Sequence, residues 1–286
     1  MRPRPDSVEF VEPQSETRSE ATVGSDEGAI GVFDSGLGGL TVLRALIDLL
    51  PNESTVYFGD TGRFPYGSKP ADEVLKYSIE IGDLLVDRGV KMLVVACNSA
   101  ASAALDTLQQ RYQIPVIGVV EPGVRAAAAT TRSGRVGVIG TVGTIASGAY
   151  QRAAQGLSID LECAACPGFV EFVESGDTES DQVHVLAHRL LAPLRTADVD
   201  TLILGCTHYP LLARTIGDVM GREVFLVSSA DETAFEVRAL LGAPDAYSTR
   251  AMSHRFMTSG DVSTFKRLGT QFLGPEVGGV EGWTWR

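Results

Sequence analysis

Two stretches of the chain, Ile30–Gly39 and Val136–Thr144, repeat one local grammar: an apolar run, a turn of glycines and hydroxyl residues, then the start of a longer segment. Each is followed by a second apolar run ending in cysteine. In one half this is Met92-Leu-Val-Val-Ala-Cys97-Asn98, in the other Thr201-Leu-Ile-Leu-Gly-Cys206-Thr207. Asp34 and Cys97 are 63 residues apart, Thr141 and Cys206 65. Chance supplies one such match; two in register imply two related halves. Further apolar runs at Thr55–Phe58 and Val116–Val119 show no in/out alternation, the mark of parallel strands covered on both faces. Between them, Leu40–Leu50, Asp72–Arg88 and Ser99–Tyr112 have helix length. This βαβα rhythm predicts an α/β fold of two pseudo-symmetric domains with mainly parallel sheets. In such sheets the site lies beyond the carboxyl ends of the strands, so facing halves bring both cysteines to one cleft.

The expected boundaries are a tail over 1–28, a first domain from 29–124 plus 233–286, and a second domain over 125–232. Arg255–Thr258 and Val262–Phe272 form one more βα unit, expected to pack back on the first domain. The tail is rich in Pro, Ser and Glu, has no apolar period, and reads as disordered. Seven acids and three arginines place −4 of the net charge of −12 in it. With 36 Asp+Glu against 24 Lys+Arg, the chain lacks the positive balance that nucleic acid or an anionic membrane calls for. No run reaches the ~18 apolar residues of a membrane span. Four cysteines are too few for a secreted disulfide scaffold of this size, so the cytoplasm is the default compartment.

Read alone, Cys97 is a small apolar filler at a strand end. Asn98 or Ser99 could cap the next helix, which places the sulfur at a helix N-terminus where thiolates are stabilised. Cys206 has the same setting, and His208 is two residues from it, a plausible acid/base partner. Asp34 either caps the helix that follows or accepts a proton from Cys97. Gly36-Leu-Gly38-Gly39 fails the dinucleotide fingerprint, which needs a third glycine where Thr41 stands. It is also no P-loop, and reads as a turn whose N–H groups hold a small anion at a helix start. Cys163-Ala-Ala-Cys166, with His184 and His188 on a helix over Val183–Leu194, superficially resembles a zinc site or a redox CxxC. The Cys-to-His gap exceeds the usual ~12 residues of a zinc finger, Pro167 follows the pair with no thioredoxin-like sequence around it, and no metal is expected.

Asp34-Ser35-Gly, Pro65-Tyr66-Gly67, Ala96-Cys97-Asn98-Ser99 and Gly205-Cys206-Thr207-His208-Tyr209-Pro210 occur in this order. With Cys166-Pro167-Gly168-Phe169-Val170 and Thr258-Ser259-Gly260-Asp261, they make the chain from Ala29 to about Gly279 resemble the glutamate racemases. The resemblance implies a cofactor-free, two-base racemase acting on L- and D-glutamate, in the service of peptidoglycan synthesis. It assigns Cys97 and Cys206 as the acid/base pair, Asp34 as the aid to Cys97, and His208 and Glu174 as aids to Cys206. Substrate would be held by Asp34, Ser35, Tyr66, Gly67, Asn98, Ser99, Thr207 and His208, with Thr141 and Thr144 at the mirrored turn. Ser99 departs from the family's more usual Thr. A homodimer is compatible with the resemblance.

The chemistry asks for the same design. One base returns the α-proton to the face it came from, whereas two of similar strength, one per face, invert the centre. Cysteine, with a reference pKa of about 8.5, lets one residue start as thiolate and the other as thiol. The alternatives are a racemase of another amino acid such as aspartate, a pyridoxal-dependent racemase, a thiol-redox protein and a non-catalytic binder. A pyridoxal enzyme needs a Schiff-base lysine, and the chain has only Lys69, Lys76, Lys91 and Lys266.

Overall fold

The computed structural model describes residues 28–242 and 252–285; apart from Gly28, the expected tail falls outside them. Among the described residues ten strands form two sheets, and every pairing is parallel. The first half runs β1 (Ile30–Asp34), α1 (Leu40–Leu49), β2 (Thr55–Gly59), α2 (Ala71–Asp87), β3 (Met92–Val95), α3 (Asn98–Arg111) and β4 (Val116–Gly118). Helix α4 (Val120–Thr130) leads to the second half. There β5 (Arg135–Gly140), α5 (Val142–Ala146), α6 (Ala149–Ala153) and β6 (Asp160–Ala165) come first. Next come α7 (Phe169–Ser175), α8 (Asp181–Leu190), α9 (Ala192–Thr196), β7 (Thr201–Gly205), α10 (Ala213–Met220) and β8 (Phe225–Ser228). The chain returns through α11 (Ser229–Leu241) to β9 (His254–Thr258), α12 (Val262–Leu273) and β10 (Val280–Gly282).

Strand order is β10-β9-β2-β1-β3-β4 in one sheet and β6-β5-β7-β8 in the other. The run β2-β1-β3-β4 and the run β6-β5-β7-β8 are the same order, so the sequence repeat is a repeat of topology. In each, the strand order reverses between the first and third strands of the half, β1/β3 and β5/β7. That reversal opens a crevice at the carboxyl ends, where α/β sheets bind ligands. The duplicated turns and cysteines stand at those four strand ends.

Burial follows the residue types. Strands β1, β2, β3 and β7 are buried at every position, as their unbroken apolar runs require. The edge strands β6 (Asp-Leu-Glu-Cys-Ala-Ala) and β8 are half exposed, and their mixed composition gave no strand signal. The helix expected over Val183–Leu194 is two. It breaks at Leu191, with Pro193 in the first turn of α9, where its missing N–H costs no ladder bond. The halves are joined by α4 and α11, which pack on each other while α11 also covers α1. No helix among the described residues is long and apolar enough to cross a membrane.

Two glycines separate strand packing from helix propensity. A Cβ at Gly205, just before Cys206, would come within 2.6 Å of the Ile139 carbonyl oxygen, which is backbone and cannot yield. At Gly217 in α10 the nearest atom would be 4.0 Å away. Gly205→Ala is expected to destabilise by about 2 kcal/mol in urea unfolding. Gly217→Ala should stabilise by up to about 1 kcal/mol.

Candidate active site

The carboxyl ends of β1, β3, β5 and β7 converge on one cavity between the sheets. Ser35, Cys97, Asn98 and Ser99 line it from the first half, and Thr141, Cys206, Thr207 and His208 from the second. Tyr66 and Gly67, beyond β2, and Cys166–Gly168 with Glu171, at the start of α7, complete the wall. Of the residues expected at the site, Asp34, Thr144 and Glu174 are outside this lining.

Cys97 is the N-cap residue of α3, with its backbone extended, so its thiol sits over the helix start. The thiol donates weakly to Ser35 Oγ at 3.7 Å. Asp34 is wholly buried at the end of β1 and accepts from the Gly36 N–H at 2.9 Å. Burial holds its carboxyl above the ordinary range, with His208 opposing. Burial and then the neighbouring Asp34 push the Cys97 thiol up to about 12. A carboxylate beside this sulfur therefore favours the thiol.

Asn98 and Ser99 do not cap α3 as expected, since no side chain closes that terminus. Asn98 Oδ1 instead accepts from the Tyr150 hydroxyl at 2.7 Å, and Ser99 Oγ lies 3.0 Å from Thr141 Oγ1 and 3.2 Å from Thr144 Oγ1. These bonds cross between the halves. Thr141 is itself the cap of α5, accepting from the Thr144 N–H at 3.2 Å. Thr144 is fully buried and supports Thr141 and Ser99 from the second layer.

Around Cys206 the chemistry differs. Its sulfur lies 3.9 Å from His208 Nδ1, and His208 Nε2 lies 2.7 Å from Glu174 Oε1. Burial alone disfavours the imidazolium, but Cys206 and Glu174 outweigh it and push His208 up to about 10. The rings of Phe64 and Phe272 stand 6.0 Å and 6.1 Å from the imidazole. The expected helix start after Cys206 is only a 3₁₀ turn, Tyr209–Leu212, with Pro210 in it; α10 begins at Ala213. The dipole support expected on this side is replaced by a cation.

Thr207 ties the two halves of the site, donating to Asp34 Oδ1 at 3.4 Å. No lysine or arginine is among the lining residues. Apart from His208, anions there meet hydroxyls and the N–H groups of strand-to-helix turns.

Cys166 is a lining residue that the sequence expectations do not include; the CxxC pattern points to the pair instead of to the Cys-Pro-Gly turn. Cys163 and Cys166 lie along an extended strand and its continuation, three residues and so about 10 Å apart, beyond the ~6.8 Å reach of a disulfide. Cys166 is also separated from Cys206 by β5, since Ala165 and Gly205 both register with Gly140. Two strand spacings again give about 10 Å. His184 meets Ser180 O and Asp218, and His188 meets Arg195, so the zinc-like string is dispersed.

The sequence model of the Asp/Glu/Hydantoin racemase family matches residues 30–234. A glutamate racemase from Acidothermus cellulolyticus is 54% identical over 255 residues, 88% of this chain and 97% of the relative. The crystal structure of a glutamate racemase isoform from Bacillus anthracis superposes with a TM-score of 0.84 at 42% identity, covering 91% of this chain and 98% of that one. The Francisella tularensis glutamate racemase in complex with D-glutamate gives the same TM-score, 0.84, at 32% identity, with coverage again 91% and 98%.

Removal of the Glu174 charge tests the electrostatics of the cleft. In Glu174→Gln the imidazolium loses a carboxylate while burial still opposes it, so the His208 titration is expected to fall from about 10 by at least one pH unit. Proton NMR of the histidine ring reads this directly; an unmoved titration would show that the ion pair does not set the charge.

Proposed function

The chain belongs to the Asp/Glu/hydantoin racemase family, and within it we propose that the enzyme interconverts L- and D-glutamate by a two-thiol proton transfer. The observation that carries this reading is the placement of Cys97 and Cys206, one at the end of β3 and one at the end of β7, opening onto one cavity from opposite sheets. A substrate Cα held between them presents one face to each sulfur. One thiolate removes the α-proton, and the opposite thiol delivers its own proton to the other face. The roles then stand reversed, ready for the other enantiomer.

Each thiol has its own auxiliary. Asp34, behind Cys97, takes the part of a carboxylate that favours the protonated sulfur. His208, fixed by Glu174, offers a cation to a thiolate at Cys206. Cys206 is therefore our choice for the base that opens the cycle, and Cys97 for the acid. The two substrate carboxylates are assigned to backbone N–H groups at the turns after β1, β3, β5 and β7, and to Ser35, Asn98, Ser99, Thr141 and Thr207. Tyr66 and Gly67 close the remaining side. This chemistry calls on no cofactor. The product, D-glutamate, is proposed to serve peptidoglycan synthesis in the cytoplasm.

Incubation with L-glutamate in deuterated water tests the reaction without any added cofactor. Deuterium is expected at Cα together with inversion. Cys97→Ser and Cys206→Ser should each lower racemisation by about 10³-fold or more. Wild-type rates in either variant would sink the two-thiol mechanism, and exclusive turnover of aspartate would redirect the substrate assignment.

Thiol alkylation separates the two sulfurs. At pH 8 iodoacetamide is expected to modify Cys206 before Cys97, as read by peptide mass spectrometry of the intact folded enzyme. Equal labelling, or Cys97 first, would overturn the assigned order.

A further inference from the structure

Tyr66 and Gly67 reach the cavity from a short 3₁₀ turn, Tyr66–Ser68, preceded by another, Thr61–Arg63, and neither turn joins a sheet ladder. Their placement rests on Asp60, fully buried just after β2. Four donors converge on its carboxylate: the Tyr66 hydroxyl, Arg63 Nε at 2.7 Å, Ser259 Oγ at 2.5 Å and Trp285 Nε1 at 3.1 Å. About four lone-pair sites are all that a carboxylate has, so Asp60 is saturated. The Arg63 guanidinium lies between two rings, 3.9 Å from the centroid of Tyr77 and 4.1 Å from that of Trp285. Trp285 is in turn seated on Phe58 of β2, with centroids 5.4 Å apart.

The far side of the loop has no slack. A Cβ on Gly67 would come within 2.6 Å of Thr141 Cβ, and Thr141 bonds Ser99 across the cleft. The loop is thus wedged between Thr141 in front and the Asp60 cluster behind. Of that cluster, Trp285 comes from the segment after β10, 225 residues from Asp60 in sequence.

We propose that Trp285 is a positioning residue for substrate binding: by stacking on Arg63 and donating to Asp60, it sets Tyr66 and Gly67 against Thr141 and so holds the cavity at binding width. The loop carries neither thiol, so this setting governs affinity more than the proton-transfer step. The inference rests on the racemase reading for its kinetic arm, and on geometry alone for its dynamic arm.

Two variants of the full-length chain test it. Trp285→Ala removes both contacts, and is expected to raise KM for L- and D-glutamate together by about tenfold, with kcat changed less than threefold. Trp285→Phe keeps a stacked ring and loses the N–H, and should give an intermediate rise of about threefold. Hydrogen–deuterium exchange should speed up in Trp285→Ala over residues 60–68 and stay unchanged over 201–212. A KM within twofold of wild type, or a fall in kcat at constant KM, would overturn the proposal. Unchanged exchange over 60–68 would overturn it too, whatever the substrate proves to be. A wild-type enzyme inactive on glutamate would sink the racemase reading instead, and the exchange comparison would still decide the role of Trp285.

Discussion

The chain of contacts from Cys206 Sγ to His208 Nδ1, 3.9 Å, and from His208 Nε2 to Glu174 Oε1, 2.7 Å, is what holds a positive charge in this cleft. Burial works against it, as it works against charge on Asp34 and Cys97 nearby. A cavity lined without lysine or arginine has few means of offsetting that cost. Glu174, partly exposed on α7, keeps its own contact with water and lends its charge to a histidine that has almost none. Without that pairing the buried imidazole would lose one of the two partners that hold its proton against burial. With it, one sulfur faces a cation and the other faces an acid.

The symmetry of the fold and the asymmetry of the chemistry are therefore separate facts. Strand order, turns and cysteine positions repeat between the halves, which places the sulfurs on opposite sides of one cavity. The supporting residues do not repeat. Cys97 begins a fourteen-residue helix and neighbours Asp34, while Cys206 precedes a four-residue 3₁₀ turn and neighbours His208. On the two-thiol reading proposed above, mirror-image substrates call for matched positions, but nothing requires the two bases to be made equal in the same way.

Much of this was legible in the residues. The parallel strands announce themselves because both faces are buried, and the repeat marks Cys97 and Cys206 as candidates. His208 was within reach because it is two residues from a thiol, whereas Glu174 is 34 residues from its partner and emerged only through the resemblance. Edge strands β6 and β8 were silent, since half-exposed strands carry no continuous apolar run. The caps expected from Asn98 and Ser99 failed because tertiary partners, Tyr150 and Thr141, took those side chains. The Asp60 cluster had no local signature whatever: its members lie as far as 225 residues apart and only the fold assembles them.

The pairing of β9 with β2 has a consequence for how the molecule is made. Thr55 and His254 are register partners 199 residues apart, so β2 waits for its outer neighbour until the whole second half has been synthesised. Until then β2 is an open edge, rich in apolar residues, of the kind that recruits other chains. Non-local parallel pairings of this sort also form slowly. During its birth on the ribosome, the enzyme has both thiols in hand well before it can shelter the strand beside them, and that interval is its period of greatest exposure to aggregation and to chaperones.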